Sequence, residues 1–479
     1  MLPRRLRLVT PALAALACAA VALLASHVPP AAALIRPAQT IDGPSRDLLE
    51  LGGVALADDG TGGLVYRKLE DGRSHIFAVQ FTGGVWGTPQ RVDAGQQFDS
   101  TWPRIAAGDG GRLLVVWVQE AGVSSDRLYS ATVAPGGRLF GRPSAVDLDV
   151  NESTATWPAI AMSAGGQALV AYRVVTNPNP NGNGGLPLGY EGAELRVARW
   201  NGQTWSNLGL ANRRVDTPVH PPTSQSAPQL GIDRSGNGVV AFVEPDDNLV
   251  ERIWARRVFG STLGVPLQAS PSLVGGATVG PADQFGLSVG PFSSAAIAYR
   301  QQPAGGEPGA PGRILLAQLP EIFADGAGTF AAPLGVGVAG PAQVENPYAT
   351  VGPKAGARVV YSSSALFAAE ADYKGVHDPA QIAPRAPALS PRAVTALGTD
   401  DASVTAWRTV TSAGPGIGVL EQPSVGAPRR GTLSVVSGGS AQELFAAGSG
   451  LGDALIVFRQ GDGAATRIGG SAVDAALSP

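Results

Sequence analysis

Cysteine, histidine and lysine are almost missing from this chain. It has one cysteine, four histidines and 35 lysines plus arginines, of which only Lys68, Lys354 and Lys374 are lysines. The lone cysteine, Cys18, lies in an apolar N-terminal stretch, so the rest of the chain can form no disulfide, thiolate nucleophile or cysteine-ligated metal site. Outside that stretch the histidines are His75, His220 and His377, scattered with no HxH or HExxH spacing, which excludes the common zinc patterns. No GxGxxG run joins a strand to a helix. Charged residues make up 15% and the formal net charge is −3, so the positive field of a nucleic-acid binder is missing. No stretch holds a helical period for more than a turn or two.

The N-terminus reads as a targeting segment. Arg4, Arg5 and Arg7 precede an apolar run from about Leu8 to Val28, followed by Pro29, Pro30 and three alanines ending at Ala33. That order predicts a signal peptide over residues 1–33, cleaved after about Ala33. The alternatives are an uncleaved anchor, since the run nearly spans a bilayer, and lipidation at Cys18 in Ala15-Leu16-Ala17-Cys18. Without the three leader arginines the net charge becomes about −6 (−3 less 3). No second apolar segment is long enough to span a membrane. The expected location is secreted, extracellular or cell envelope.

What the chain has in quantity is turns. It carries 64 glycines and 39 prolines, and these fall between apolar runs rather than in low-complexity tracts. Eight runs share one pattern: a tight turn, a short apolar strand, and an aromatic anchor. The anchors are Tyr66, Trp117, Tyr172, Phe242, Tyr299, Tyr361, Trp407 and Phe458. A repeat near 50 residues built from short strands predicts an all-β fold, a β-propeller, as one domain over residues 34–479.

One repeat gives the blade. Pro103–Ala107, Arg112–Gln119, Leu128–Val133 and Pro143–Leu148 read as four antiparallel strands separated by Gly/Asp and Pro-Gly-Gly turns. The next repeat copies it, with Asn201-Gly202 as a hairpin signal. Trp86 and Trp205 end equivalent turns and are expected to pack on the outer strand. The last repeat lacks a clear fourth strand. Arg36–Asp42 parallels the fourth strands ending at Asp93 and Asp147, so the N-terminus is expected to complete the C-terminal blade and remove an open sheet edge. The count is eight blades, with seven as the alternative.

The strand order also orients function. Taking the face where each first strand starts as the upper face, the loops from second to third strand and from blade to blade lie there. The longest are Thr176–Glu194, Asn212–Ala227 and Gln301–Gly312. Three features map to this face. Trp102 and Trp157 open innermost strands in Thr-Trp-Pro steps, suiting contact with a sugar ring or apolar group, or packing within the blades. Arg67, Arg173, Arg300, Arg408 and Arg459 follow five of the anchors; they suit a carboxylate, sulfate or phosphate, or a bond to a neighbouring loop carbonyl or acid. Asp147, Asp149 and Glu152, and Glu244, Asp246 and Asp247, could hold Ca²⁺ but lack a calcium-loop spacing, so no cofactor is expected.

In overall architecture and in the arginine rim the chain resembles sialidases, propellers that hold a carboxylated sugar with arginines. It lacks their S-x-D-x-G-x-x-W turn motif. The WD40 resemblance is likewise architectural, since no repeat ends in Trp-Asp. Fold-level likeness implies the scaffold and leaves activity open. The expectation is a non-catalytic binding propeller that takes a glycan or an extracellular protein on its upper face, as a monomer. The alternatives are a glycoside hydrolase of sialidase-like architecture and a structural module of the envelope.

Overall fold

The computed structural model describes residues 34–474 apart from segments 121–125, 147–152, 177–192, 214–226, 292–293, 306–310, 320–327, 338–343, 353–355, 373–374, 385–392, 398–401, 413, 423–426, 437–438 and 450–451. The expected signal peptide lies outside the described residues, as do most of the three long upper-face loops.

Eight antiparallel sheets of four or five strands follow one another along the chain. Blade 2 is representative: Ser100–Gly108, Arg112–Gln119, Arg127–Val133 and Ser144–Ala145, paired in sequence order. Its first turn needs two consecutive residues at positive φ, and Gly110 and Gly111 supply them at 77° and 75°. Its second strand, RLLVVWVQ, is buried along nearly its whole length. It reads as a continuous apolar run because blades cover both of its faces.

The core is accordingly divided among the wedges. One apolar cluster lies between each pair of neighbouring blades, and the eighth joins blade 8 to blade 1 through Val457 and Ile468 against Leu51, Leu64 and Tyr66. All eight anchor aromatics sit on second strands and are at most 8% exposed. Each fully buried anchor contributes about 2 kcal/mol. First strands are rich in alanine and glycine because the wedges converge there. Gly52 shows the limit: a Cβ at this position would lie 2.4 Å from the Pro103 carbonyl oxygen of blade 2.

The ring closes as expected. Blade 8 has three strands from the C-terminus, Ala441–Gly448, Ala454–Gln460 and Arg467–Asp474. Leu34–Ile35 and Gln39–Asp42 both pair antiparallel with the last of these. Arg36 adds an ion pair to Asp474 at 2.6 Å. Trp86 and Trp205 do more than expected. Each ring lies beside the third strand of its own blade, against Phe81 and Trp200, and each reaches back to the preceding blade. Trp205 Nε1 donates to Ser130 Oγ at 2.9 Å, and Trp86 packs in the clusters joining blades 1 and 8.

A second fastening carried no signal in the single-repeat reading. The residue two past the anchor is buried and polar in several blades: Gln119, Glu244, Gln301 and Gln460. Gln460 Nε2 donates to the Pro415 and Gly439 carbonyls, while its Oε1 accepts from Val435 N at 2.9 Å. Glu244 accepts from Arg213 N at 2.7 Å. Gln460 and Glu244 thus satisfy the backbone of the connection arriving from the preceding blade, whereas Gln301 donates to the Gly280 and Pro281 carbonyls of its own blade's first strand.

Candidate functional site

The first strands enclose a central channel with a cavity in each half. The upper cavity has a volume of about 380 Å³ and is lined from all eight blades, with Gly53, Arg104, Trp157, Gln284, Asn346 and Phe445 among the lining. The lower cavity, about 350 Å³, is lined by Asp58, Asp233, Arg234 and Ser449 among others. Tyr348 and Ala446 line both and mark the waist. At the lower mouth Arg234 of blade 4 pairs with Asp58 of blade 1 at 2.6 Å.

The upper cavity owes its shape to a bulge near the start of the first strands. In blade 2 the pairing with the second strand steps from Thr101 to Arg104, and in blade 3 from Thr156 to Ala159. The extra residue places Trp102 and Trp157 at φ 51° and 50°, and Asn346 takes 54° at the same position in blade 6. A tryptophan in the left-handed region is a genuine outlier. All three precede a proline.

The bulges bring the two tryptophans together. Their ring centroids are 4.9 Å apart, tilted by 42°. Trp157 lines the upper cavity, while Trp102 packs against the apolar cluster between blades 2 and 3. Trp102 thus stands behind Trp157 as its support.

The five arginines fall at the upper ends of second strands, and three of them pair with a carboxylate on the first strand of their own blade. Arg67 meets Glu50 at 3.2 Å, Arg300 binds Asp283, and Arg459 binds Glu443 through two nitrogens. Arg173 is buried and stands opposite Thr156, one residue before Trp157. Arg408 stands opposite Ile417 in blade 7. Blades 8, 1 and 2 bring one group of charges to the mouth. Glu50 is raised above the usual carboxylate range by burial, an effect opposed by Arg104 and Arg67 and reinforced by Glu443. Arg104 Nη1 lies 3.9 Å from Glu50 Oε1 and donates to the Pro103 carbonyl at 2.8 Å. Arg104 was not among the sequence candidates. Its signal would have been its place two residues after Trp102, just past the bulge.

Of the two acidic sets, Asp147, Asp149 and Glu152 lie outside the described residues. Asp246 is engaged by Arg252 Nε at 3.0 Å and by the Asn248 and Val250 amides, and Asp247 by Arg213 at 2.9 Å. Burial opposes these bonds, but they prevail and hold Asp246 below its ordinary value. Among the described residues no group of three or more His, Cys, Asp or Glu side chains is arranged to hold a metal ion.

No family model and no curated protein matches this chain. Among solved structures it is similar to an ulvan lyase, at 8% identity over 90% of this chain and 95% of that one, TM-score 0.46. A protein from Dyadobacter fermentans matches at 13% identity over 78% and 94%, TM-score 0.42. A Trypanosoma rangeli sialidase matches at 8% over 93% and 61%, TM-score 0.41. Among the described residues no helix is long and apolar enough to cross a membrane.

Proposed function

We propose that this chain is an exported, non-catalytic binding propeller that holds a carbohydrate at the upper mouth of its channel. The observation that carries this reading is the pair of left-handed tryptophans. Backbone strain at two matched bulges places one indole on the cavity wall and a second indole behind it. Strain of this kind costs on the order of 1–3 kcal/mol per residue and concentrates at functional sites. A flat, braced indole lining one cavity with amide side chains such as Gln284 and Asn346 suits a pyranose, which has an apolar face and a hydroxyl rim.

A glycoside hydrolase is the second reading, favoured by one observation: a second carboxylate, Glu443, stands near enough to Glu50 at the mouth for its charge to help raise the Glu50 carboxyl. Against it, both carboxylates are engaged by guanidinium groups, Arg67 at Glu50 and Arg459 at Glu443. One experiment separates the two. The purified protein is screened on a glycan array, and each hit is then incubated with protein and analysed for cleavage. Retained, uncleaved hits that Trp157→Ala abolishes support binding; cleavage products that Glu50→Gln abolishes support hydrolysis. An array with no hits sinks both.

A further inference from the structure

Two donors on the wall of the upper cavity are unspent among the described residues: the indole Nε1 of Trp157 and the side-chain nitrogen of Gln284. Neither is sealed in the core. Gln229, on the same wall, shows the contrast. Its Nε2 donates to the Phe285 carbonyl and its Oε1 accepts from Leu287 N, both at 2.7 Å. Gln284 is committed at one end only. It sits in the bulge of blade 5, where the pairing steps from Ala282 to Phe285, and its Oε1 accepts from Asn346 N at 2.8 Å. A backbone amide can only donate, so the atom facing it is the oxygen and the nitrogen is turned away. Gln284 is 9% exposed and lines the cavity, so that nitrogen faces this space. In blade 4, between blades 3 and 5, Ala227-Pro228 stands where blade 3 has Trp157-Pro158. A small apolar step thus separates the indole from the amide.

We infer that the upper cavity selects an O-acylated neutral sugar, an acetyl ester in the simplest case, with its ring on Trp157 and its ester carbonyl accepting from Gln284 Nε2. This rests on the carbohydrate-binding reading above and names the substituent which that reading leaves open. A free hydroxyl can accept from the same donors, but it brings a proton that needs an acceptor of its own. The side-chain oxygens of Gln229 and Gln284 are already taken. An ester carbonyl brings no proton, and Ala227, Pro228 and Phe285 offer apolar surface to the acyl methyl. A site with unmet donors favours the ligand that supplies their acceptor.

The test uses the purified protein and three preparations, each titrated by calorimetry: O-acetylated xylo-oligosaccharides, the same material after alkaline deacetylation, and N-acetylated chito-oligosaccharides. The acetylated xylo-oligosaccharides should bind about three- to tenfold more tightly than the deacetylated ones, as expected for one neutral hydrogen bond. Added salt should leave that ratio unchanged, because no ionic group takes part. Gln284→Glu keeps an oxygen for Asn346 N and puts an acceptor where the donor was, so the ratio should fall to about one or below. Thermal melts identify a variant that has lost its fold, in which case the ratio measured on the unaltered protein decides. Equal or weaker binding of the acetylated form, or a preference surviving in a folded Gln284→Glu, overturns this inference; the carbohydrate reading then still stands on the glycan array. Chito-oligosaccharides that bind where the acetylated xylo-oligosaccharides do not also overturn it, and move the acceptor to an amide. No response to any preparation overturns it as well, while hits on the array would keep the carbohydrate reading.

Discussion

Tyr66 donates its hydroxyl to Asp42 Oδ2 at 2.5 Å. The first anchor aromatic is thereby bonded to the strand that completes the eighth blade, and Lys68 reaches the same carboxylate at 2.9 Å. Burial, then the hydrogen bond and charge of Asp42, push the Tyr66 phenol well above its ordinary value. The folded chain therefore holds this proton more tightly than the unfolded chain does. The stabilisation is complete below about pH 10, the ordinary phenol value, and is lost as pH rises through the folded-state value. Tyr66→Phe should cost about 1–2 kcal/mol at neutral pH and should flatten the decline in stability at alkaline pH. Urea denaturation at several pH values between neutral and strongly alkaline measures both; an unchanged alkaline slope would remove Tyr66 from the account.

The same closure makes a coarser prediction. Removing residues 34–42 strips the partner from Arg467–Asp474 and leaves its edge open. The truncated chain should melt lower and elute as oligomers in size-exclusion chromatography. A monomer with unchanged melting would mean that the apolar cluster between blades 8 and 1 closes the ring unaided.

Much of this was legible in the sequence, and the reason is repetition. An apolar strand ending in an aromatic marks a position covered by two neighbours, and eight copies of it fix the blade count. Closure was legible because Ile41-Asp42 repeats Val92-Asp93. The channel mouth was only half legible. Trp102 and Trp157 stood out by type, but their contact depends on a bulge, and a bulge is a matter of pairing that no single strand reveals. The arginines after the anchors were visible, yet their acids Glu50, Asp283 and Glu443 sit on another strand. Arg104 was marked only by its place two residues after Trp102, which has a meaning only once the bulge is known.

The two tryptophans should separate under mutation. Trp157 borders the cavity, so Trp157→Ala should remove carbohydrate binding with little change in melting temperature. Trp102 packs against the cluster that joins blades 2 and 3, so Trp102→Ala should weaken binding and also cost about 2–3 kcal/mol, below the range for a fully buried tryptophan. Binding isotherms alongside denaturation curves test the split. Equal stability losses in the two variants would place both rings in the core.

Gly52 tests how closely the wedges meet. Its missing Cβ leaves room for the Pro103 carbonyl of the next blade, and backbone cannot swing aside as a side chain can. Gly52→Ala should destabilise by about 1–3 kcal/mol, the usual cost of overpacking. The strain falls beside Arg104, so binding at the mouth should weaken as well. A stability change within experimental error would show that the first strands of blades 1 and 2 can separate freely.

Glu50 adds a pH dependence of its own. Burial raises its carboxyl, against the pull of Arg104 and Arg67 and with the help of Glu443. The folded chain therefore binds this proton more tightly than the unfolded chain does, and the Glu50 contribution to stability becomes more favourable as pH falls through the raised value towards the ordinary one. Glu50→Gln carries no charge at any pH and should remove that contribution. Urea denaturation of both proteins over a series of acidic pH values measures the difference; the same pH dependence in the two would mean that Glu50 contributes none of it.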